Sequence, residues 1–479
     1  LLAATAARSA GAGNELQRAL LAAVTVAAAV GAITGAIQVL APAVPDGSWI
    51  AAVTVPGRAS GNLRQPNHLA SVLLWGLVAT VWHFGRAARQ SDNPKRLLGA
   101  VLGAGLVFGL VLTASRTGAL GLLLLAAWGL FDRGLAKQAR LALSLAPLLY
   151  AAMWWLVDAF MVVEGGTGFA GTQRLHEADP SSSRFAIWAN TLELIRMHPW
   201  TGVGTGNFNF AWTLTEFSHP RPVAFFDHTH NLALQLWVEL GLPLGTLVLA
   251  LLGYALWRAF RAAAEAPDAQ TALTQRCAFM IVLLAMLHSM VEYPLWYAHF
   301  LFPVAFCWGV CLARPRAAGE ATDPAPRNLQ AHRLAGAALL VAGIVMVWDY
   351  FRVVPIFDPP VNAAPLRERI AQGQRSWLFA HHADYALVTT YQEPVRRLED
   401  FRRPVHFLLD ARLMQAWAEA LDAAGDVDRA RWLAQRLAEF HRPQSQALFA
   451  PCAEPAKAGA PRPFQCEAPL KRYSFEDFR

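Results

Sequence analysis

Three short segments of this 479-residue chain place cationic, amide and imidazole side chains at the mouths of long apolar runs. The first, GNLRQPNH at 61–68, carries Arg64, Gln65, Asn67 and His68 straight into an apolar stretch. The second is SRTG at 115–118, which sets Arg116 between LVLTA and ALGLL. The third, DHTHN at 227–231, offers His228, His230 and Asn231. A guanidinium beside hydrocarbon is costly unless an anion meets it. The other reading of Arg116 is an anchor that snorkels to lipid headgroups. His228 and His230 are two apart, so they share a face on a strand and diverge on a helix. No Cys or carboxylate cluster accompanies them as a zinc site requires, and no metal is assigned. A histidine at the mouth of a span also reads as an interfacial hydrogen-bonding residue.

Taken together, arginines and a neutral histidine on one membrane face suit chemistry with a diphosphate leaving group. The arginines neutralise charge that builds on the departing diphosphate. The histidine removes a proton from an attacking hydroxyl, since imidazole ordinarily titrates near neutral pH. Such a site needs positioning and charge, with neither a metal nor a cofactor.

The elements that must position these residues are membrane helices. Hydrophobic residues make up 55% of the chain and charged ones 16%, against about 25% charged in a soluble domain. Apolar runs at 20–42, 66–85, 97–115, 117–132, 141–163, 231–257, 277–292, 297–313 and 334–350 reach or approach the roughly 20 residues that cross a bilayer. The expectation is an all-α polytopic membrane protein with about nine transmembrane helices. The net charge of +7 belongs to topology and not to nucleic acid. Its cations cluster between runs, as Arg86, Arg89, Lys95 and Arg96; Arg133, Lys137 and Arg140; Arg258, Arg261 and Arg276; and Arg314, Arg316, Arg327 and Arg333. Taking all four groups as cytoplasmic turns the three polar segments outward. It also leaves outside a long, partly helical loop at 164–230 and a small helical domain at 351–479. In that loop, RFAIWANTLELIRM at 184–197 reads as a helix capped by Ser181, Ser182 or Ser183. In the tail, 411–423 and 427–440 read as a hairpin of the tetratricopeptide kind about Ala424, Gly425 and Asp426. The domains expected are thus 1–350, a transmembrane domain, and 351–479, a helical tail. Cys277, Cys307 and Cys311 fall in spans as packing residues. Cys452 and Cys466 lie in the outward tail and are expected to be bonded. The chain opens LLAA, without a methionine or a cleavable leader; a fragment whose first spans are missing is one reading of that, and the letters alone do not choose it.

At these segments the chain resembles the bacterial O-linked protein glycosylation ligases, the PglL-type O-oligosaccharyltransferases. These share a superfamily with O-antigen ligases and polymerases. The residues carrying the resemblance are GNLRQPNHLA at 61–70, SRTGAL at 115–120, SRFAIW at 183–188, HPWTGVGTGNF at 198–208, HTHN at 228–231 and EYPLWYAHF at 292–300. They cover most of 55–310. One departure is Leu244, where the family pattern that follows His230-Asn231 and Gly241 has a small residue or Tyr. The resemblance implies a bacterial inner-membrane enzyme whose site faces the periplasm. Its donor would be undecaprenyl pyrophosphate carrying an oligosaccharide. By position, His230, Arg116 and Arg184 correspond to the family's catalytic residues. Arg64, Gln65, Asn67, His68, His228, Asn231, Tyr293 and Tyr297 would contact substrate.

The acceptor separates the enzyme readings. A Ser or Thr hydroxyl of a periplasmic protein such as a pilin makes a protein ligase; a lipid A core sugar makes an O-antigen ligase. The GNLRQPNH segment and the outward tail favour the protein. An O-antigen polymerase and a lipid-linked glycan transporter are the remaining alternatives. His288, within a span, is the main candidate for a transport site.

Overall fold

The computed structural model of the chain describes residues 13–89, 93–163, 169–175, 183–266, 268–312, 326–390, 397–407, 409–441, 445–454 and 462–479. Ser181, Ser182, Arg314 and Arg316 lie outside the described residues, as do the side chains of Arg86, Arg89 and Arg327. Among the described residues the backbone is helical and contains no strand. The membrane helices begin with α1 (Gly13–Leu40), α2 (Pro66–Arg89), α3 (Asn93–Leu112), α4 (Arg116–Phe131) and α5 (Lys137–Val163). Two shorter helices follow, α6 (Arg184–Met197) and α7 (Phe208–Leu214). Then come α8 (Leu232–Ala264), α9 (Ala269–Ser289), α10 (Ala298–Cys311) and α11 (Pro326–Tyr350), and in the tail α12 (Ala411–Ala423) and α13 (Val427–Ala438). Each of the nine apolar runs of the sequence falls on one helix. Six described helices are long and apolar enough to cross a bilayer, in α1, α3, α5, α8, α9 and the stretch Arg333–Phe357, while α4 and α10 are shorter apolar helices.

Two compact units divide the chain, Leu1–Pro180 with Leu251–His332, and Ser181–Ala250 with Arg333–Arg479. The first is built around Leu69, Leu73, Leu110, Leu125, Ile281 and Phe300, all buried. Where its helices cross, small residues let the backbones approach. A Cβ on Gly76 would lie 2.4 Å from that of Ala28, and one on Gly121 would lie 2.3 Å from Leu74 Cδ1. Lipid is as apolar as leucine, so close packing of this kind holds membrane helices together. Cys277, Cys307 and Cys311 are buried free thiols. His288 is also buried, its Nδ1 at 2.8 Å from Ser71 Oγ.

In the second unit every residue of α7 is buried. Around it lie Leu413, Met414, Trp432, Leu433 and Phe440 of the tail. The hairpin forms for local reasons. Apolar side chains recur at helical spacing in α12 (Leu413, Met414, Trp417, Leu421), and Asp410 caps it by accepting the Leu413 N–H at 2.9 Å. Gly425 supplies the positive φ of 83° that turns the chain into α13. Long-range hydrogen bonds then stitch the tail to the segment between α6 and α8. The Trp432 indole donates to the Leu214 carbonyl at 3.1 Å, and Arg479 Nη2 to the Val203 carbonyl at 2.9 Å.

A disulfide joins Cys452 to Cys466 at a sequence separation of 14. A closed loop of that size restricts the unfolded chain by about 3 kcal/mol in the chain-entropy account. The Cys452→Ser, Cys466→Ser protein is accordingly expected to lose up to about 3 kcal/mol in urea denaturation of this unit. An unchanged midpoint would mean that the bridge constrains nothing the fold does not already hold.

Candidate active site

In the first unit, the segment ahead of α2 is held from beneath by Gln38. Its Oε1 accepts the N–H groups of Ser60 and Gly61 at 2.9 and 2.7 Å, and its Nε2 donates to the Ala51 carbonyl at 2.8 Å. Buried Arg58 fastens the same segment to the end of α3, donating from Nε to the Thr113 carbonyl at 2.9 Å. Arg64 adopts the left-handed conformation with φ 57°. Gln65 Oε1 then accepts the His68 N–H at 2.7 Å and starts α2.

Asn67 is the junction of three segments. Its Oδ1 accepts the Ser115 hydroxyl at 2.7 Å and its Nδ2 donates to Glu292 Oε1 at 3.0 Å. The His68 ring is buried with its edge contacts to Tyr297 at 4.6 Å and Phe300 at 5.1 Å, and Tyr297 stacks on Tyr293 at 6.0 Å. Ser115 caps α4 by accepting the Gly118 N–H at 3.0 Å. Arg116 therefore stands at the first helical position, where its Nη2 donates to the Arg174 carbonyl at 2.7 Å. The structure thus gathers Gln65, Asn67, His68, Arg116, Tyr293 and Tyr297 around the starts of α2 and α4 and the turn before α10.

The second unit holds Arg184, His228, His230 and Asn231. Arg184 opens α6 after Ser183, which is left-handed (φ 66°, ψ 2°) and gives no capping hydrogen bond. Ser183 thus holds the N-cap position without the side-chain cap expected from sequence, while Ser181 and Ser182 lie outside the described residues. A side-chain cap needs an extended N-cap backbone to reach the free N–H groups, and Ser183 turns the other way. The histidine segment is neither strand nor helix. His228 Nδ1 lies 2.9 Å from Asp227 Oδ1. Thr229 is fully buried and pinned on three sides: its N–H donates to Gln235 Oε1 at 2.8 Å, its hydroxyl to the Asn231 carbonyl at 2.8 Å, and its carbonyl accepts the Trp188 indole at 3.0 Å. His230 follows with φ 55°, partly exposed, its ring edge-on to Phe226 at 5.7 Å. Asn231 Oδ1 accepts the Leu234 N–H at 3.0 Å and so caps α8.

Behind this turn lies Asn209, whose Nδ2 donates to the Phe226 carbonyl at 3.1 Å while its Oδ1 accepts the Leu409 N–H at 2.8 Å. One amide thereby couples the histidine segment to the tail. The glycines at 202–206 pack against a break in α8. Val203 donates to the Val238 carbonyl at 2.8 Å, Gly204 to that of Glu239 at 3.0 Å, and Leu242 to that of Pro199 at 2.7 Å. Gly241 has φ 76°, and a Cβ there would sit 2.3 Å from the Trp200 carbonyl oxygen. Backbone contact explains Gly202 and Gly241, while Gly204 and Gly206 serve positive φ angles of 95° and 76°.

Arg116 and Arg184 share one electrostatic peculiarity. Each is the first residue of its helix, at the positive end of the macrodipole, where a cation costs about 0.3–1 kcal/mol. Helix stability does not account for them there. The same placement makes each helix start a spot that favours an anion. Among the described residues no three His, Cys, Asp or Glu side chains are grouped to hold a metal ion.

Sequence reasoning missed Gln38, Arg58 and Asn209, whose partners lie 13 to 200 residues away, and Gln235, which holds Thr229 six residues before it; Trp188 stood inside SRFAIW without an assigned role. Glu292 and Asp227 stood inside the quoted segments without an assigned role.

Three family models match the chain. One described as O-antigen ligase covers 98–250, one described as virulence factor membrane-bound polymerase, C-terminal, covers 277–452, and one described as protein glycosylation ligase covers 59–84. Two curated relatives come from Acinetobacter baylyi (strain ATCC 33305 / BD413 / ADP1). A general O-oligosaccharyltransferase is 26% identical over 272 residues, 54% of this chain and 44% of the relative. A ComP-specific O-oligosaccharyltransferase is 25% identical over 258 residues, 53% of this chain and 44% of the relative. The match thus spans less than half the length of either.

Proposed function

The chain is a PglL-type member of the O-antigen ligase superfamily, and from that premise we propose that it transfers an oligosaccharide from undecaprenyl pyrophosphate to a Ser or Thr hydroxyl of a periplasmic protein. The observation that carries this reading is that Arg116 opens α4 in the first unit and Arg184 opens α6 in the second, each at a helix start whose dipole favours an anion. In the reaction, the acceptor oxygen bonds to the anomeric carbon as the bond from that carbon to the phosphate oxygen breaks. The leaving diphosphate takes up the bonding electrons. Arg116 and Arg184 are assigned to that developing charge. His230 is assigned to the proton of the acceptor hydroxyl. Asn67, His68, Gln65, Arg64, His228, Asn231, Tyr293 and Tyr297 are assigned to binding or to holding these groups.

The protein acceptor is supported by the glycosylation-ligase match at 59–84 and by the names of both relatives. The longer O-antigen ligase match favours a second reading, with a lipid A core as acceptor. A transfer assay separates them. Purified protein receives a lipid-linked oligosaccharide and either a pilin-type protein or lipid A core, with EDTA present. Glycan on a protein Ser or Thr is the expected product. Glycan on the lipid alone would move the chain to the second reading, and transfer to neither would overturn both.

A further inference from the structure

The first unit contains a cavity of about 670 Å³ between α2, α3 and α5 that none of the proposed chemistry uses. Its walls are almost wholly apolar and include Phe84, Gly103, Ala142 and Leu149. Thr80 also lines it, but its hydroxyl is already donated to the Gly76 carbonyl at 2.8 Å. Nothing in the wall there asks for a polar guest.

Along α5 the lining runs from Gln138 to Ala152, which at 1.5 Å per residue is about 21 Å. Half of a bilayer, headgroup region included, is about 20–22 Å. The groove is therefore as long as one leaflet is deep. It also begins at a charged end. Arg96 and Gln138 line the cavity at the starts of α3 and α5, and Lys95 and Lys137 stand exposed beside them in the chain. Asp132, in the turn before α5, is engaged by the Trp128 indole at 2.9 Å and by Arg276 at 3.5 Å.

We propose that this groove is a binding site for an anionic phospholipid of the leaflet on the basic-loop side, with one acyl chain along α5 and its phosphate at Arg96. Cationic mouths between membrane helices recruit acidic headgroups, and an apolar slot one leaflet long takes a single chain. The donor's polyprenyl tail is the weaker occupant, because its diphosphate is assigned to Arg116, at the opposite ends of α3 and α4.

Gly103 gives a clean test. A Cβ added there meets no atom within 4 Å, so a larger side chain grows into the groove and not into the fold. Native mass spectrometry would count lipids retained by the full protein after titration with phosphatidylglycerol or phosphatidylcholine of the same chains. The wild-type protein is expected to keep phosphatidylglycerol in preference. Gly103→Phe is expected to retain about tenfold less of it, equivalent to about 1.4 kcal/mol, with an unchanged melting temperature. Arg96→Gln is expected to keep a lipid but to lose the preference between headgroups. Equal retention of the two lipids by the wild type, or full retention by Gly103→Phe, would overturn the site. So would displacement of phosphatidylglycerol by undecaprenyl phosphate at lower concentration, which would give the groove to the donor.

Discussion

His230→Asn is expected to lower the rate of glycan transfer by about 10²–10⁴-fold, the usual contribution of a positioned acid or base, without unfolding the protein. Asparagine is the informative replacement because of the backbone. His230 has φ 55°, a conformation that asparagine adopts more readily than alanine does. His230→Ala mixes lost imidazole with a strained turn; His230→Asn removes the imidazole alone. The surrounding hydrogen bonds belong to Thr229, Gln235, Trp188 and Asn231, and neither change touches them. Rates would be measured at saturating donor with varied acceptor, alongside thermal unfolding. If His230→Asn keeps a rate within about threefold of wild type, well short of the catalytic range, the residue serves the turn and another group handles the proton.

The second large effect is on stability. Arg221 is nearly inaccessible, with 2% of its side chain exposed. Its Nε donates to Glu439 at 2.9 Å, and its two other nitrogens donate to the carbonyls of Trp212 and Thr215. The guanidinium also lies over the rings of Trp212, Phe217 and Phe440 at 4.7, 5.1 and 5.0 Å. Burial pushes its pKa down to about 10 against the opposing pull of Glu439, so it stays charged at neutral pH. Arg221→Ala strands the two carbonyls and leaves Glu439 to Arg436, its remaining partner at 2.8 Å; each buried acceptor left unpaired costs about 1–3 kcal/mol, or about 2–6 kcal/mol for the two. Arg221→Lys is expected to recover only part, because an ammonium cannot span the three acceptors as a planar fork does. Proteolysis of the second unit across a urea series would read both variants. A midpoint for Arg221→Ala equal to that of wild type would show that these contacts are incidental.

The two effects concern different kinds of legibility. The membrane helices could be read directly, because a run of 20 apolar residues is a local property and each of the nine runs fell on one helix. Arg116 and His230 stood out by type and placement and Arg184 through the family resemblance, and the helix that Arg184 opens was already legible in RFAIWANTLELIRM. Asn209 and Arg221 gave no such signal. Their partners, Leu409 and Glu439, lie 200 and 218 residues away, and no local spacing encodes a contact of that range. Ser183 was misread for a related reason: a serine before a helix announces a cap only when its backbone is extended, and sequence does not report φ. Of the glycines in HPWTGVGTGNF, Gly202 owes its place to the neighbouring backbone of α8 at Glu239 and Gly241, a contact that sequence does not show.

The stitching of the tail to the segment before α8 also sets a clock for biosynthesis. Val203 takes its hydrogen bond from Arg479, 276 residues later. At the 5–20 residues per second of synthesis, those partners emerge about 14–55 s apart. Until residues 413–440 follow, α7, with Phe208, Phe210 and Trp212, is without the tail surface that buries it in the finished unit. The nascent chain thus carries an apolar aromatic segment whose cover is made some 200 residues after it, an interval in which such a surface is prone to aggregate.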